Sequence, residues 1–350
     1  MVQRQRFRLA VALCTMAMAT ACFSGGGDQK AGETSSGQQS DKQVEAGVPQ
    51  EYRAKAIADG KNRAIDACGL HDPDAAKEVT GDEGDEIVPS TSGLQECILR
   101  MHKGEFQSTW TFYLEVGVLY DAASRKNDAP EKLGGMDVFI SEDERRCEVS
   151  KPLDDNYVIQ LHATASGEDN APAKPVCQVL REYATKLAPV WQELPKHGSG
   201  RTKPELTLPK LDPCTAAAAT MDMFEEGFLE TSGPMTCTAR SAKPSPPVRD
   251  RSVGRNEVSV TWTMNTNPAK LIKAGDNSAR EITVEGRKAV ISKGSSGCTT
   301  YIVWDPEISV VQDNRSTDDD SLTQQIRVQT ATCDTAEEVT KRIVAKVGKR

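Results

Sequence analysis

The sequence predicts an α+β fold of two tandem modules, each an antiparallel sheet covered by helices and stapled by two disulfides. Three observations carry that expectation. Eight cysteines, at 68, 97, 147, 177, 214, 237, 298 and 333, divide four and four along the chain. The strand and helix signals around the two sets follow in the same order twice. Strand signals outnumber helical ones and are separated by hairpin-length gaps, which argues for antiparallel pairing with helices on one face.

The first element is an address. Residues 1–22 read MVQRQRFRLAVALCTMAMATAC, with Arg4, Arg6 and Arg8 and no acid before an apolar stretch from Leu9 to Ala19. That is the length of a signal-peptide core and falls short of the roughly 20 residues a bilayer span needs. Ala19-Thr20-Ala21-Cys22 then resembles a lipobox, in which the cysteine thiol is diacylated (a palmitate-type anchor) and the preceding bond is cut. It departs from that pattern in carrying Ala19 where Leu is favoured. Cys14 lies inside the apolar core behind Leu13 and is removed with the leader. The expectation is a signal peptide over 1–21, lipidation at Cys22, and residence on the extracellular face of the cell membrane. Adjacent arginines are absent, so export by the general secretory route is expected. Residues 22–49 are Gly, Ser, Gln and charge with little to bury, which predicts a flexible tether.

Removal of the leader leaves 329 residues, room for two ordinary domains. It takes away three arginines and no acid, so the net charge moves from −8 to −11. An acidic chain without basic clusters disfavours nucleic acid and electrostatic docking on anionic lipid. The basic tail, Lys341, Arg342, Lys346, Lys349 and Arg350, is read as cations complementing a helix C-terminus.

The first module is expected over 50–195 and the second over 211–350, joined by a Pro-, Gly- and Lys-rich linker over 196–210. EYRAKAIADGKNRAID reads as an amphipathic helix in front of the first. Asp66-Ala67-Cys68 and Asp212-Pro213-Cys214 open the two units, each followed by an Ala-rich helical stretch. Cys97 and Cys237 lie on strands. Longer alternating strands follow, STWTFYLEV and NEVSVTWTM, each with a tryptophan. Trp110, Phe112 and Leu114 in one, and Val258, Val260 and Trp262 in the other, mark the inward faces. GGMDVFISEDERRCEVS pairs with EGRKAVISKGSSGCTTYIV, so Cys147 matches Cys298; a further strand follows, and Cys177 and Cys333 open the last helices. An even cysteine set in an exported chain reads as disulfides, and four cysteines allow three connectivities. The favoured hypothesis is local pairing: 68–97, 147–177, 214–237 and 298–333. Aromatic content is 5%, so each core is modest and the staples, worth roughly 2–4 kcal/mol each, offset that.

The Asp-Pro-Cys start, Ala-rich helix, cysteine-bearing strand and cysteine-opened final helix, behind a lipobox and tether, resemble the actinobacterial DUF3558 lipoproteins, here as two tandem units. The first copy departs, with Ala-Cys-Gly where Pro-Cys is expected. The resemblance implies location and fold and no reaction.

No catalytic motif emerges. His71, His102, His162 and His197 all lie in the first unit or the linker. His102 and His162 on strands, with Glu96 or Asp72, are the nearest approach to a metal set; solvated surface histidines are the plainer reading. Asp318-Asp319-Asp320 lacks the glycine and closing glutamate of a calcium loop, and the acidic run GDEGDE at 81–86 reads as a solvated loop. Gly294-Ser295-Ser296-Gly297 fits a hairpin tip better than a nucleophile turn. Trp110 and Trp262 are taken to match between copies and to pack in the cores, while Trp191 is assigned a surface or interdomain role. No metal site and no cofactor are expected. The expected function is non-enzymatic binding of an envelope ligand or protein, in an interdomain cleft. The alternatives are a wall-associated hydrolase with a dispersed site, or a structural spacer.

Overall fold

A computed structural model describes residues 47–348, apart from 104–106, 122, 124, 126–128, 143–145, 166–173, 243–256, 274–277, 296 and 311–320. Cys22, the tether as far as residue 46, Ser296 and Asp318–Asp320 lie outside the described residues.

Helix α1 (Gln50–Arg63) leads into a short 3-10 turn at Cys68–Leu70 and then α2 (Pro73–Thr80). Asp72 caps α2, its Oδ1 accepting from the Ala75 amide at 3.0 Å, with Pro73 supplying the fixed φ of a first helical position. Seven strands follow: β1 (Gly84–Ser90), β2 (Gly93–Lys103), β3 (Gln107–Leu119), β4 (Glu131–Leu133), β5 (Met136–Glu142), β6 (Cys147–Pro152) and β7 (Tyr157–Ala165). They form one antiparallel sheet in the order β1-β2-β3-β7-β6-β5-β4. Helix α3 (Val176–Glu193) closes the module.

The second module repeats this plan. Helix α4 (Pro213–Ala217) precedes β8 (Gly227–Gly233), β9 (Thr236–Ser241) and β10 (Glu257–Thr266). A short helix α5 (Ala269–Lys273) leads to β11 (Ala279–Val284), β12 (Arg287–Gly294), β13 (Gly297–Val303), the two-residue β14 (Ser309–Val310), β15 (Leu322–Thr330) and the last helix α6 (Cys333–Val347). The sheet order is β8-β9-β10-β15-β13-β12-β11, with β14 pairing β15 off that path. Strand for strand this is the order of the first sheet, so the repeat seen in the cysteines is a repeat of topology. The fold is α+β in two modules, as the sequence predicts.

The disulfides join 68 to 97, 147 to 177, 214 to 237 and 298 to 333, with Cα separations of 5.0–5.2 Å. In each module one bridge ties the segment before the sheet to its second strand. The other ties the last helix to the hairpin strand. They also fix the correspondence between copies: Cys97 lies opposite Leu114, and Cys237 opposite Val260. Trp262 is therefore the counterpart of Val116, and Trp110 has a different place in the pattern. Both tryptophans are buried on the inward face, but they are not a matched pair.

The inward faces behave as the alternation requires. Phe112, Leu114, Leu161 and Val149 bury against α3 side chains Leu180, Tyr183 and Leu187 in one core. Val260, Trp262, Ile302 and Ile326 bury with Val339 and Ile343 of α6 in the other. Trp191 is a correction: it is fully buried in the first core, and its Nε1 donates to the Leu70 carbonyl at 3.3 Å. Pro189 is accommodated inside α3, so the helix carries Trp191 onto the core-facing side.

The two modules meet at a junction formed by β1 and β2. Val88, Leu94 and Ile98 of the first sheet belong to the apolar core of the second module. Helix α1 docks on the second module through polar groups and an aromatic stack. Its buried residues are Asp59 and Asn62. Lys55 Nζ reaches Asp59 Oδ2 at 2.9 Å and the Thr231 carbonyl on β8 at 2.9 Å, while Arg63 pairs with Asp212 at 3.4 Å. Tyr52 stacks on Phe228. Residues between the modules are also held: Leu206 and Leu208 are buried, and Gln324 Oε1 accepts from the amides of Thr207 and Leu208.

Candidate functional site

The residues named from sequence do not converge. Asp72 is engaged as a helix cap. His102 and His162 lie on β2 and β7 with β3 between them, and the register puts them four residues apart along the strand direction, about 16 Å in all by strand geometry. His162 stacks on Tyr113, ring centroids 4.6 Å apart, and burial followed by the Arg146 charge lowers its pKa to about 4. Among the described residues no three His, Cys, Asp or Glu side chains gather as a metal would require.

Two histidines overturn the solvated reading. His71 is buried, with Nε2 3.3 Å from the Cys97 carbonyl and Nδ1 3.1 Å from the Tyr183 hydroxyl. A carbonyl only accepts, so Nε2 carries the proton and Nδ1 accepts from Tyr183. Burial lowers the imidazole pKa to about 4. The group is a neutral bridge between the 68–97 staple and α3. His197 is buried beside Asp66, Nδ1 to Oδ1 3.9 Å, and burial pushes its pKa down against the pull of that carboxylate. Both histidines follow turns that the module packs over, which sequence periodicity does not reveal.

The acidic run is also corrected. Gly84 to Glu86 belong to β1, where Glu86 pairs with Arg100 at 3.0 Å and Asp85 with Lys77 at 2.6 Å. Ser295 sits in the two-residue hairpin turn between Gly294 and its partner Gly297. On the outer face of the first sheet Glu96 stands directly opposite Glu115. Burial, then the Glu96 charge, raises the Glu115 pKa. No sequence signal marks this pair, because it depends on register.

The cavity lies elsewhere, on the outer face of the second sheet. It is a cleft of about 400 Å³. Val290 of β12 and Val303 of β13 form an apolar floor, and Pro268, Ala269 and Pro306 form apolar walls. Helix α5 packs against β11 and its entry is capped by Asn267, whose Oδ1 accepts from the Ala269 amide at 3.0 Å. Glu281 and Lys288 stand exposed on the rim, and neither forms an ion pair among the described residues. Arg287 closes one end; its guanidinium lies 4.3 Å from the Trp304 ring centroid and donates to the Trp304 carbonyl.

The first module fills the matching place. Cys147 lies opposite Glu142, and Cys298 opposite Lys293, so Phe139 corresponds to Val290. Phe139 packs near Tyr120, ring centroids 6.0 Å apart, and Arg125 covers both rings while donating to the Asp154 carbonyl at 3.0 Å. A phenylalanine with its own aromatic and cationic cover closes the site; a valine leaves it open. The described lining holds one carboxylate, Glu281, and two cations, Arg287 and Lys288, around the apolar floor.

No family model matches the chain, and no curated protein or solved structure matches it. Among the described residues no helix is long and apolar enough to cross a membrane.

Proposed function

We propose that the chain is an envelope lipoprotein of the DUF3558 kind, anchored through Cys22 and held off the membrane by the tether, which binds a small ligand through its second module. The observation that carries the binding role is the cleft over Val290 and Val303, with rim charges that form no ion pair among the described residues and a first-module counterpart already filled. Apolar lining with a few polar groups that orient the guest is the usual make-up of a small-molecule site. The sequence-based expectation is a site between the modules; the proposed site lies instead on one face of the second module, where the cleft is.

A hydrolase is the second reading, and the opposed Glu96 and Glu115 favour it, because burial and then the facing Glu96 charge push the Glu115 pKa upward. That pair lies on the first sheet, away from the cleft. Native mass spectrometry separates the two readings. Protein isolated from envelopes without denaturation should carry a small molecule, and Val290→Phe should carry none. Equal loading of the two proteins would remove the cleft from the account.

A further inference from the structure

We infer that the cleft of the second module takes a short peptide with a free amino and a free carboxyl terminus, flanking an aliphatic side chain. The inference rests on the binding reading above and adds the chemical class. Glu281 lies directly opposite Val290 across the β11–β12 pair, and Lys288 is two residues from Val290 on the same face of β12. The two charges are thus diagonal neighbours, with backbones about 7–8 Å apart. Neither is neutralised by a partner among the described residues, and both border the same apolar floor.

A ligand that satisfies all three features carries an ammonium for Glu281, a carboxylate for Lys288 and an apolar group for Val290 and Val303. Two extended residues span about 7 Å, comparable to the backbone separation of the two rim residues. Arg287 also lines the cleft, with its guanidinium engaged by the Trp304 ring and carbonyl, so Lys288 is the cation left to meet a carboxylate. The volume of about 400 Å³ is at the small end for ligand sites, which fits two or three residues and excludes a long acyl chain lying full length. In the first module Phe139, Tyr120 and Arg125 occupy the matching position.

The test is calorimetric titration of the full mature chain with the dipeptide Ala-Leu, its N-acetyl form, its C-terminal amide, and hexanoate and hexylamine as single-charge probes. Ala-Leu should bind most tightly, and each capped form should bind about two- to fivefold more weakly, the range that exposed charges give. Glu281→Gln should erase the effect of acetylation while keeping that of amidation, and Lys288→Ala the reverse. Val290→Phe should abolish binding of every probe. Titration followed by Trp304 emission, with Trp304→Phe as the blank, places the event beside Arg287. Equal binding of free and capped peptides, or tighter binding of hexanoate than of Ala-Leu, overturns the peptide assignment and leaves the cleft in place. Binding that survives Val290→Phe overturns the cleft itself. Absence of binding by every probe at millimolar concentration also overturns the peptide assignment, and the native-loading measurement then decides on the cleft.

Discussion

Acidification from pH 7 to pH 4 should weaken the first module through His71, and the size of the effect follows from its surroundings. The imidazole is neutral in the folded chain, donating to the Cys97 carbonyl and accepting from Tyr183, with a pKa near 4 against 6.5 when exposed. Between these values the unfolded chain binds the proton and the folded chain does not. The stabilisation is therefore complete above pH 6.5 and is lost as pH falls toward 4. At about 1.4 kcal/mol per unit, the full loss is roughly 3 kcal/mol. His71→Gln keeps a donor and an acceptor and has no proton to gain. Urea unfolding of both proteins at pH 7, 6, 5 and 4 isolates this residue from the other titrating groups. The wild type should lose about 2–3 kcal/mol more than the variant over that range. Parallel stability curves would refute the assignment of His71 as a buried neutral bridge.

Other expectations are narrower. Lys55→Met leaves the Asp59 carboxylate buried without its cation and should cost about 2–3 kcal/mol in denaturant unfolding, whereas adding Asp59→Asn should recover part of it. Gly297→Ala places a Cβ 2.4 Å from the Thr330 carbonyl oxygen at φ +140, and should lower the melting temperature of the second module by the equivalent of about 1–3 kcal/mol. Removing the 214–237 bridge with paired alanines frees a loop of 23-residue separation, worth about 3.4 kcal/mol by chain entropy, measurable by urea titration. Cys22→Ala, or globomycin treatment, should release or misprocess the protein in membrane fractionation, and unchanged membrane association would refute the anchor.

Much of the architecture was legible because cysteines and inward apolar residues are few and regularly placed. The local pairing of the bridges and the inward set Phe112, Leu114, Val258 and Val260 come straight from that pattern. What escaped was whatever depends on register or on tertiary cover. The edge strands β1 and β8 carry acids, glycines or Pro89 in place of clean alternation, and they are held by pairing with β2 and β9. The two tryptophan-bearing strands look alike, yet the bridges displace Trp110 from Trp262. Helix α1 fully buries only Asp59 and Asn62, with Tyr52 and Ala56 half-buried against the second core, so its contact face is mixed and a hydrophobic stripe would not locate it. The cleft left one trace, Phe139 against Val290 in the matched hairpins GGMDVFIS and EGRKAVIS. That difference acquires meaning only once Tyr120 and Arg125 are seen to cover the phenylalanine.

The central claim is that the chain is one four-cysteine module written twice, each copy with the same two local staples. Peptide mapping of the unreduced protein, with free thiols blocked before digestion, tests it most directly. Four linked pairs should appear: 68 with 97, 147 with 177, 214 with 237 and 298 with 333. A peptide linking Cys97 to Cys147, or any bridge between the first set of four and the second, would contradict it.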